Sequence, residues 1–463
     1  MRSATLERPT YATPPPISKS MDSSNASLLM RSVNAVWHPC TQMKQHETLP
    51  LVPIARGEGV WLYDFDGRSY IDAISSWWVN LFGHCNPRIN AALNSQLGTL
   101  EHAMLAGFTH VPVIELSERL SALTGSRLGH CFYASDGASA VEIALKMSFH
   151  FWRNSGQPQK SGFVSLAHSY HGETLGALAV TDVSLFKDAY APLLMRSTQV
   201  VNPDWRNAEP GESPRAYAER CAAALENHLQ RHHAETAALI IEPLVQGATG
   251  MAMYDAEYLR RARKLCDQYQ VHLIADEVMT GCGRTGTFFA HEQAAITPDF
   301  LCLSKGITGG YLPLSTVMTT DAVYAAFYDD DVARGFLHSH SYTGNALACC
   351  AALATLDIFM EDDALESNRV KAALIDRLLA PLARLPRINN LRNCGMIWAF
   401  DVETPEREFS RRFYVAALER GLLLRPIGNT VYLMPPYVIA EDEINLLVGR
   451  VLALAEQFAT DAT

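Results

Sequence analysis

The stretches VHLIAD, residues 271–276, and DFLCLSKGITGG, residues 299–310, decide the fold class of this 463-residue chain. Each contains a short apolar run, which leads to Asp276 in the first and to Lys305 in the second. Further runs of the same kind, in HCFYASDGAS, GFVSLAHSYHGET and AALIIEPLVQG, alternate with helical stretches. Short β-rich runs separated by helices predict crossover connections, and therefore an α/β fold with a mostly parallel sheet.

The two ends of the chain differ in pattern from this α/β region. Residues 1–33 are rich in Ser and Pro and lack an apolar period, which predicts a disordered leader. The segment GVWLYDFDGRSYIDAISS predicts a hairpin that turns at Asp66-Gly67, and a helix is expected from Pro87 towards Leu100. Beyond about residue 355, a helical stretch, short strands and a closing helix predict a smaller α+β lobe.

Composition excludes several classes of protein. The chain carries 38 Lys and Arg against 49 Asp and Glu, a net charge of −11, and no run forms the basic face of a nucleic-acid binder. No apolar stretch reaches the roughly 20 residues of a membrane span. The ten cysteines are scattered without a CxxC pair, which suits a reducing compartment. We therefore expect a cytoplasmic protein whose partners include neither nucleic acid nor membrane.

For two motifs, a structural explanation is stronger than a functional one. GCGRTG at 281–286 fits GxGxxG, but the TFFAHEQ that follows is no apolar helix, so a dinucleotide site is not predicted. The pairs His228 with His232 and His338 with His340 lack a Glu or Cys at supporting spacing. Hydrogen-bonding or surface histidines explain them better, and no metal site is predicted.

Lys305 is one of only eight lysines, and its context is unusual. It follows a buried strand and precedes Gly-Ile-Thr-Gly-Gly, so it is expected at the carboxyl edge of the sheet, where ligands collect in α/β folds. An amine held in apolar surroundings loses proton affinity and becomes a nucleophile for carbonyl groups. A surface-loop lysine would explain this residue alone equally well.

Asp276 and a glycine turn favour the functional interpretation. A buried carboxylate at the end of VHLIAD needs a partner, and a protonated pyridine nitrogen is one, although capping of the following turn would also explain the residue. In SDGAS, residues 135–139, Gly137 lies between a strand and a helix, where free amides bind anions. An amine, an acid and an anion cradle together predict a site for pyridoxal 5'-phosphate.

The ordered motifs carry a family resemblance from about Trp37 to the C terminus. SDGASAVEIALK, SYHGET, IIEPLVQG, IADEVMTGCGRTG, SKGITGG and HSYTGN together resemble the class III aminotransferases of fold type I, which use pyridoxal phosphate. The resemblance implies a large cofactor-binding domain over residues 86–350. It also implies a small domain formed by residues 34–85 and 351–463, and a homodimer that shares its active sites.

The resemblance also implies roles for individual residues. Lys305 is expected to hold the cofactor and move protons, Asp276 to pair with the ring nitrogen and Tyr170 to stack on the ring. The implied phosphate contacts are Gly137, Ala138 and, from the neighbouring chain, His340 and Ser341. The implied substrate contacts are Trp77, Trp78, Tyr170, Arg284, Lys305, Ser339 and Arg425. Ala138 stands where the family often has a hydroxyl residue, so one side-chain bond to the phosphate is missing.

Within the class, three segments resemble the branch that serves biotin formation. They are WHPCTQMK, SSWWVN and RPIGNTVYLMPPY. This likeness implies ping-pong transfer of an amino group from S-adenosylmethionine to 8-amino-7-oxononanoate. Cys40, where many members have Tyr, and the SHSYTGN segment leave lysine open as the donor. Two rival functions are an ω-aminotransferase for ornithine, 4-aminobutyrate or a diamine, and a non-catalytic binder of the cofactor, which Lys305 disfavours.

Overall fold

The computed structural model describes residues 24–49 and 51–460. The strands of these residues are β1 (Ile54–Glu58), β2 (Trp61–Asp64), β3 (Ser69–Asp72), β4 (His130–Ala134), β5 (Gly162–Leu166), β6 (Thr198–Val200), β7 (Thr236–Ile241), β8 (Val245–Gln246), β9 (Ala252–Met253), β10 (His272–Asp276), β11 (Phe300–Leu303), β12 (Ser315–Thr319), β13 (Ile388–Cys394), β14 (Ile397–Val402), β15 (Leu422–Leu423) and β16 (Thr430–Leu433).

The α-helices of the same residues alternate with the strands through most of the chain. They are α1 (Asn25–Ala35), α2 (Ser75–Trp78), α3 (Pro87–Leu97), α4 (Val111–Leu123), α5 (Gly137–Asn154), α6 (Leu175–Val180), α7 (Ser184–Lys187), α8 (Pro214–His232), α9 (Glu257–Tyr269), α10 (Asp321–Ala325), α11 (Ala346–Glu361), α12 (Ala364–Leu379), α13 (Phe409–Glu419) and α14 (Glu441–Thr460).

A seven-stranded sheet forms the centre of the fold, in the order β4-β12-β11-β10-β7-β5-β6. Neighbours from β11 to β6 pair in parallel, whereas β12 runs antiparallel to both β11 and β4. Every residue of β7, β10 and β11 is buried, as expected for strands covered on both faces. The predicted α/β class and mostly parallel sheet are therefore confirmed, and the antiparallel β12 is an addition to them.

Helices begin where short polar side chains can cap them. Asp136 caps α5 by accepting a hydrogen bond from the Ser139 amide, and Asn86 caps α3, which has Pro87 at its first position. The predicted helix after Pro87 is thus confirmed and ends at Leu97, three residues early. The N-terminal end of α5 follows the carboxyl end of β4 closely, at the edge of the sheet where the site lies.

The described residues 24–49, 51–56 and 62–69 belong to one compact unit. Its α1 begins after Ser24, whose side chain accepts a hydrogen bond from the Ser27 amide. The prediction of disorder is therefore wrong for residues 25–33, because this capped helix occupies them; residues 1–23 of the predicted leader lie outside the described residues. The turn at Asp66-Gly67 is confirmed, since the Asp64 amide donates to the Arg68 carbonyl at 3.0 Å.

Residues 57–61 and 70–460 form the other compact unit, which contains the central sheet. Its C-terminal part has an antiparallel sheet in the order β13-β14-β16, of which β13 was not predicted. Leu422 of β15 pairs in parallel with Ile71 of β3, so distant segments of the chain meet there. The domain boundaries at residues 86 and 351 stay a prediction. In the described part of the chain, no helix combines the length and apolarity of a membrane span.

Candidate active site

A cavity of about 580 Å³ lies at the carboxyl ends of the central strands. The predicted site residues that line it are Lys305, Asp276, Tyr170, Gly137, Ala138 and Trp78. They come from five separate segments, which the parallel strands bring to one edge of the sheet. The predicted residues Trp77, Arg284, Ser339, His340, Ser341 and Arg425 are not among the lining residues of this cavity.

Lys305 is the second residue after the end of β11 and has a backbone φ of +47°. Side chains with a Cβ rarely adopt positive φ, so the surrounding structure holds this residue in a strained conformation. Its Nζ lies 5.0 Å from the centroid of the Trp78 ring. Burial lowers the pKa of Lys305 below its usual 10.5, although the charges of Asp276 and Glu242 oppose the shift. A larger fraction of the amine is therefore unprotonated and nucleophilic.

Asp276 ends β10 with its side chain buried. Its Oδ2 lies 2.7 Å from the Nδ1 of His171, and its Oδ1 accepts a hydrogen bond from the Val278 amide at 3.1 Å. The His171 ring is fully buried. His171 belongs to the SYHGET motif, but the sequence assigned it no role. Nothing in the sequence around His171 indicated that a carboxylate would be its partner.

The start of α5 forms an anion cradle. The amides of Gly137 and Ala138 occupy the first turn, where a helix offers no backbone acceptor, and they line the cavity. A Cβ on Gly137 would lie 2.6 Å from Val278 Cγ1, and one on Gly172 would lie 2.5 Å from the Cβ of Ala138. Both glycines are therefore needed for the close approach of the segments around the cradle.

Glu242 is a second buried carboxylate, which belongs to the IIEPLVQG motif and had no role assigned from the sequence. It follows β7, lines the cavity and accepts hydrogen bonds from the amides of Tyr170 and Gly247 at 2.9 and 3.0 Å. Burial raises the pKa of Glu242 to about 7; His171 lowers it and Asp276 adds to the rise. Two acids and one histidine, all buried, thus lie together at the cavity that the Lys305 amine also lines.

The short segment α2 (Ser75–Trp78) is a single left-handed turn and not a regular α-helix, since all four residues have positive φ, between +46° and +75°. Asp72 holds it, because its two carboxylate oxygens accept hydrogen bonds from the amide and the hydroxyl of Ser76 at 2.8 and 2.7 Å. This left-handed turn places Trp78 on the cavity wall and leaves Trp77 exposed. The Trp78 indole donates to the Tyr432 hydroxyl at 3.1 Å.

The two predicted substrate arginines have different surroundings. The Arg425 guanidinium lies 5.1 Å from the centroid of the Trp77 ring. Arg284 is only 1% exposed and donates to the backbone carbonyls of Pro435 and Asn80. These two bonds join its guanidinium to the protein's own backbone, and a contact of Arg284 with substrate stays a prediction.

The segment with Ser339, His340 and Ser341 lies outside this cavity. The Ser341 carbonyl is 2.9 Å from His102 Nε2, and the neighbouring His338 is 2.8 Å from Lys146 Nζ. A contact of these residues with the phosphate site of a neighbouring chain stays a prediction. His228 and His232 stack on α8, and among the described residues no group of His, Cys, Asp or Glu is arranged to hold a metal ion.

Comparison with known proteins gives the family. The family described as aminotransferase class III matches residues 42–453. The chain is a class III aminotransferase. The aminotransferase is 47% identical over 431 residues to the adenosylmethionine-8-amino-7-oxononanoate aminotransferase of Helicobacter pylori, covering 91% of this chain and 96% of the relative. It is 40% identical over 424 residues to that of Geobacter sulfurreducens, with 89% and 94% covered.

Solved structures of related enzymes share the fold of this aminotransferase. The adenosylmethionine-8-amino-7-oxononanoate aminotransferase of Methanocaldococcus jannaschii has a TM-score of 0.88 and 34% identity, covering 94% of this chain and 99% of that one. An ω-transaminase of Pseudomonas jessenii in complex with PMP has a TM-score of 0.89 and 29% identity, with 94% and 98% covered. The predicted transferase fold of type I is thereby confirmed.

The class III aminotransferase depends on pyridoxal 5'-phosphate, and the cavity fits that group. An amine suits its aldehyde, a buried carboxylate suits its ring nitrogen and the amides at the start of α5 suit its phosphate. Gly137 and Gly172 allow the segments around the cradle to approach closely, since a Cβ on either would collide with Val278 or Ala138. The residues of the described chain thus match the chemistry of each part of the cofactor.

Proposed function

We propose that this aminotransferase moves an amino group from S-adenosylmethionine to 8-amino-7-oxononanoate and thereby makes 7,8-diaminononanoate for biotin. The observation that carries the proposal is the turn that places Trp78 on the cavity wall and Trp77 beside Arg425, whose guanidinium lies 5.1 Å from the Trp77 ring. Flat rings suit both an adenine and an aliphatic chain, and a guanidinium binds a carboxylate bidentately. The relatives named for this reaction support the same assignment.

The proposed roles follow from the contacts of each side chain. Pyridoxal phosphate, when bound, supplies an electron sink that stabilises negative charge on the substrate carbon. Asp276, fixed by His171, would hold a proton on the ring nitrogen, and Tyr170 would cover the ring. Gly137 and Ala138 would donate their amides to the phosphate. Trp78 would confine the substrate at the wall that faces Lys305.

Lys305 would bind the cofactor and then move the proton of the reaction. Lys305 lines the cavity, and burial lowers its pKa, so a larger fraction of the amine is free to accept a proton from the substrate carbon. The protonated Lys305 amine can then give that proton to a neighbouring carbon atom of the bound substrate or cofactor. The second half-reaction uses the same groups in the reverse order, with 8-amino-7-oxononanoate as the acceptor.

We further propose a cytoplasmic homodimer in which each chain completes the site of its partner. His340 and Ser341 would reach the partner's phosphate, and Ser339 would reach its substrate. Two contacts hold this segment in place: His102 binds the Ser341 carbonyl, and His110 lies 2.9 Å from the Gly344 carbonyl. The ten cysteines, all within the described residues, form no disulfide, which suits a reducing compartment.

A second candidate keeps the acceptor and uses lysine as the donor. The SHSYTGN segment favours it, because it resembles relatives that use lysine, and Cys40 in WHPCTQMK replaces the tyrosine that many members have there. Both candidates predict the same residues around the cofactor. They differ only in the molecule that first gives up its amine.

The experiment that tests the proposal is a half-reaction followed in the visible spectrum. Purified enzyme loaded with the cofactor is mixed separately with S-adenosylmethionine, lysine, ornithine and 4-aminobutyrate. We expect bleaching by S-adenosylmethionine alone and recovery on addition of 8-amino-7-oxononanoate. Bleaching by lysine instead would favour the second candidate, and bleaching by ornithine or 4-aminobutyrate alone would reject the biotin assignment. The variant Lys305→Ala should lose turnover; near-normal turnover would reject the proposed role of the lysine.

A further inference from the structure

Glu242 lines the cavity, yet the reaction proposed above gives its carboxylate no step. The side chain is buried at the end of β7, between β5 and β10 of the central sheet. Its Oε1 accepts a hydrogen bond from the Tyr170 amide at 2.9 Å, and its Oε2 accepts one from the Gly247 amide at 3.0 Å. One carboxylate thus joins two loops that are 77 positions apart in the sequence.

The first of these loops carries the ring proposed to cover the cofactor. Tyr170 is followed by His171, whose Nδ1 lies 2.7 Å from Asp276. The His171 amide also donates to the Thr181 hydroxyl at 2.9 Å. A shift of the Tyr170 backbone would therefore move the cofactor face of the site.

The second loop supports the aromatic wall on the substrate side. A Cβ on Gly247 would lie 3.2 Å from two carbon atoms of the Trp78 ring and 2.9 Å from the Cε of Met279. The backbone of Gly247 is therefore packed against the indole, with no room for a side chain. On the cavity side, the same indole faces the Nζ of Lys305 at 5.0 Å.

We propose that Glu242 is a positioning residue that fixes the separation between the Tyr170 loop and the Trp78 wall, and so sets the width of the slot that admits the amine donor. A carboxylate suits this task because each oxygen accepts a hydrogen bond from one loop. Glutamine has one acceptor oxygen and places an NH₂ group against the other amide. The inference rests on the proposed function, since it concerns the same substrates.

The two substrates differ in shape. S-adenosylmethionine carries a bulky nucleoside, whereas 8-amino-7-oxononanoate is a slim chain. Because the nucleoside has the larger surface to hold between the two sides of the slot, a loosened slot should weaken binding of the donor more than binding of the acceptor. At a pH above the pKa of Glu242, which is about 7, we expect the KM for S-adenosylmethionine to rise about tenfold in Glu242→Gln, the effect of one lost hydrogen bond to a charged group. The KM for 8-amino-7-oxononanoate should stay within about threefold of the wild-type value.

The matched control is Glu277→Gln. Glu277 is also buried and also accepts hydrogen bonds from two backbone amides, those of Ala290 and His291 at 2.6 and 2.8 Å. It does not line the cavity. This control should not separate the two KM values. Glu242→Asp, which is too short to reach both amides, serves as a second variant if Glu242→Gln does not fold.

Hydrogen–deuterium exchange of the cofactor-free protein gives a readout that does not need activity. In Glu242→Gln, exchange at the Tyr170 or the Gly247 amide should accelerate about tenfold, and in Glu277→Gln it should not. Unchanged exchange at both amides, or equal rises of the two KM values, would overturn the positioning role. A wild-type enzyme that ignores S-adenosylmethionine would instead reject the proposed function, and the exchange result would still decide the role of Glu242.

Discussion

The Nδ1 of His171 lies 2.7 Å from the Oδ2 of Asp276, and both side chains are buried at the carboxyl edge of the central sheet. The carboxylate therefore has a fixed direction before any ligand binds. Its other oxygen is engaged by the Val278 amide. The Nε2 of His171 is buried and has no hydrogen-bond partner among the described residues, so Asp276 is the hydrogen-bond partner of this ring.

We expect His171→Leu to lower kcat about tenfold to a hundredfold, because Asp276 loses a charge-assisted hydrogen bond worth about 1.5–3 kcal/mol. The measurement is steady-state kinetics of the cofactor-loaded enzyme. His272→Leu is the control. His272 is buried at the start of β10, the strand that Asp276 ends, and it binds Ser148 instead. An equal fall in kcat for both variants would show that loss of a buried histidine, and not the support of Asp276, is the cause.

Arg425 is predicted to bind the carboxylate of the substrate. Arg425→Met should raise the KM for 8-amino-7-oxononanoate about tenfold to a hundredfold, because a bidentate guanidinium contact is lost. Arg425→Lys should recover only part of this loss, since an ammonium cannot bind a carboxylate through a planar fork. Steady-state kinetics with varied acceptor checks both variants. Equal KM values for the wild-type enzyme and Arg425→Met would remove the arginine from the binding site.

The parallel part of the fold was predictable because buried strands have a simple signal. β7, β10 and β11 each contain an apolar run that leads to a polar residue, so their type and the parallel class of the sheet followed from sequence. β12 was not predicted because STVMT follows a glycine-rich loop without an intervening α-helix. β13 was not predicted because INNLRNC is largely polar. The start of α1 was missed because its helix has no buried residue to reveal a period.

The cavity was predictable only in part. Lys305, Asp276 and Gly137 each end or start an element, and parallel strands bring such positions together. His171 and Glu242 lack that signal, because their importance lies in contacts with residues about 70 to 105 positions away. Arg284 was assigned to substrate from its motif, and only the three-dimensional structure reveals that backbone carbonyls of two other segments occupy its guanidinium.

The left-handed turn at Ser75–Trp78 should reverse the usual ranking of alanine and glycine. Ser76 has φ of +46°, a conformation that costs a residue with a Cβ about 1 kcal/mol and glycine almost nothing. Ser76→Ala and Ser76→Gly both lose the hydroxyl bond to Asp72, so the variants differ mainly in this strain. We expect Ser76→Gly to be the more stable by about 1 kcal/mol in thermal unfolding.

The control for this comparison is Ser95, an exposed residue of the regular helix α3. There glycine should be less stable than alanine by about 1 kcal/mol. If glycine were also the less stable residue at position 76, the turn would not be left-handed in solution.

Lys160 is a buried lysine that ties three segments together. Its Nζ donates to the carbonyls of His233, Thr236 and Gln270 at 2.7, 3.2 and 2.8 Å, and two of these residues cap the C termini of α8 and α9. Lys160→Met removes these donors but keeps the apolar stem. We expect a loss of about 3 kcal/mol in the free energy of unfolding, because buried carbonyls are left without a donor.

Chemical denaturation of the cofactor-free protein measures this loss. Lys264→Met is the control, because Lys264 is exposed on α9, and its replacement should change stability by less than about 0.5 kcal/mol. Similar stabilities of the two variants would mean that water replaces the Lys160 donors at no cost.

Asp401 should make the protein sensitive to acid. Burial alone would raise its pKa, but Arg392 and hydrogen bonds from Asn390 and Thr430 hold the pKa of Asp401 below its usual 3.8. A carboxylate whose pKa is lower in the folded state stabilises the fold fully above the unfolded pKa, and this contribution falls as the pH drops through the folded pKa. We therefore expect its full stabilising effect at about pH 5 and above, and its loss as the pH falls below the usual pKa of 3.8.

Asp401→Asn tests this directly. At pH 7 the variant should be less stable by about 3 kcal/mol, because the buried Arg392 keeps its charge and loses its partner at 3.0 Å. The difference from the wild type should shrink as the pH falls towards 2, since the wild-type carboxyl is then neutral as well. Asp357→Asn, which removes the exposed partner of Arg119, should cost less than about 1 kcal/mol. A difference for Asp401→Asn that stays constant from pH 7 to pH 2 would contradict the lowered pKa.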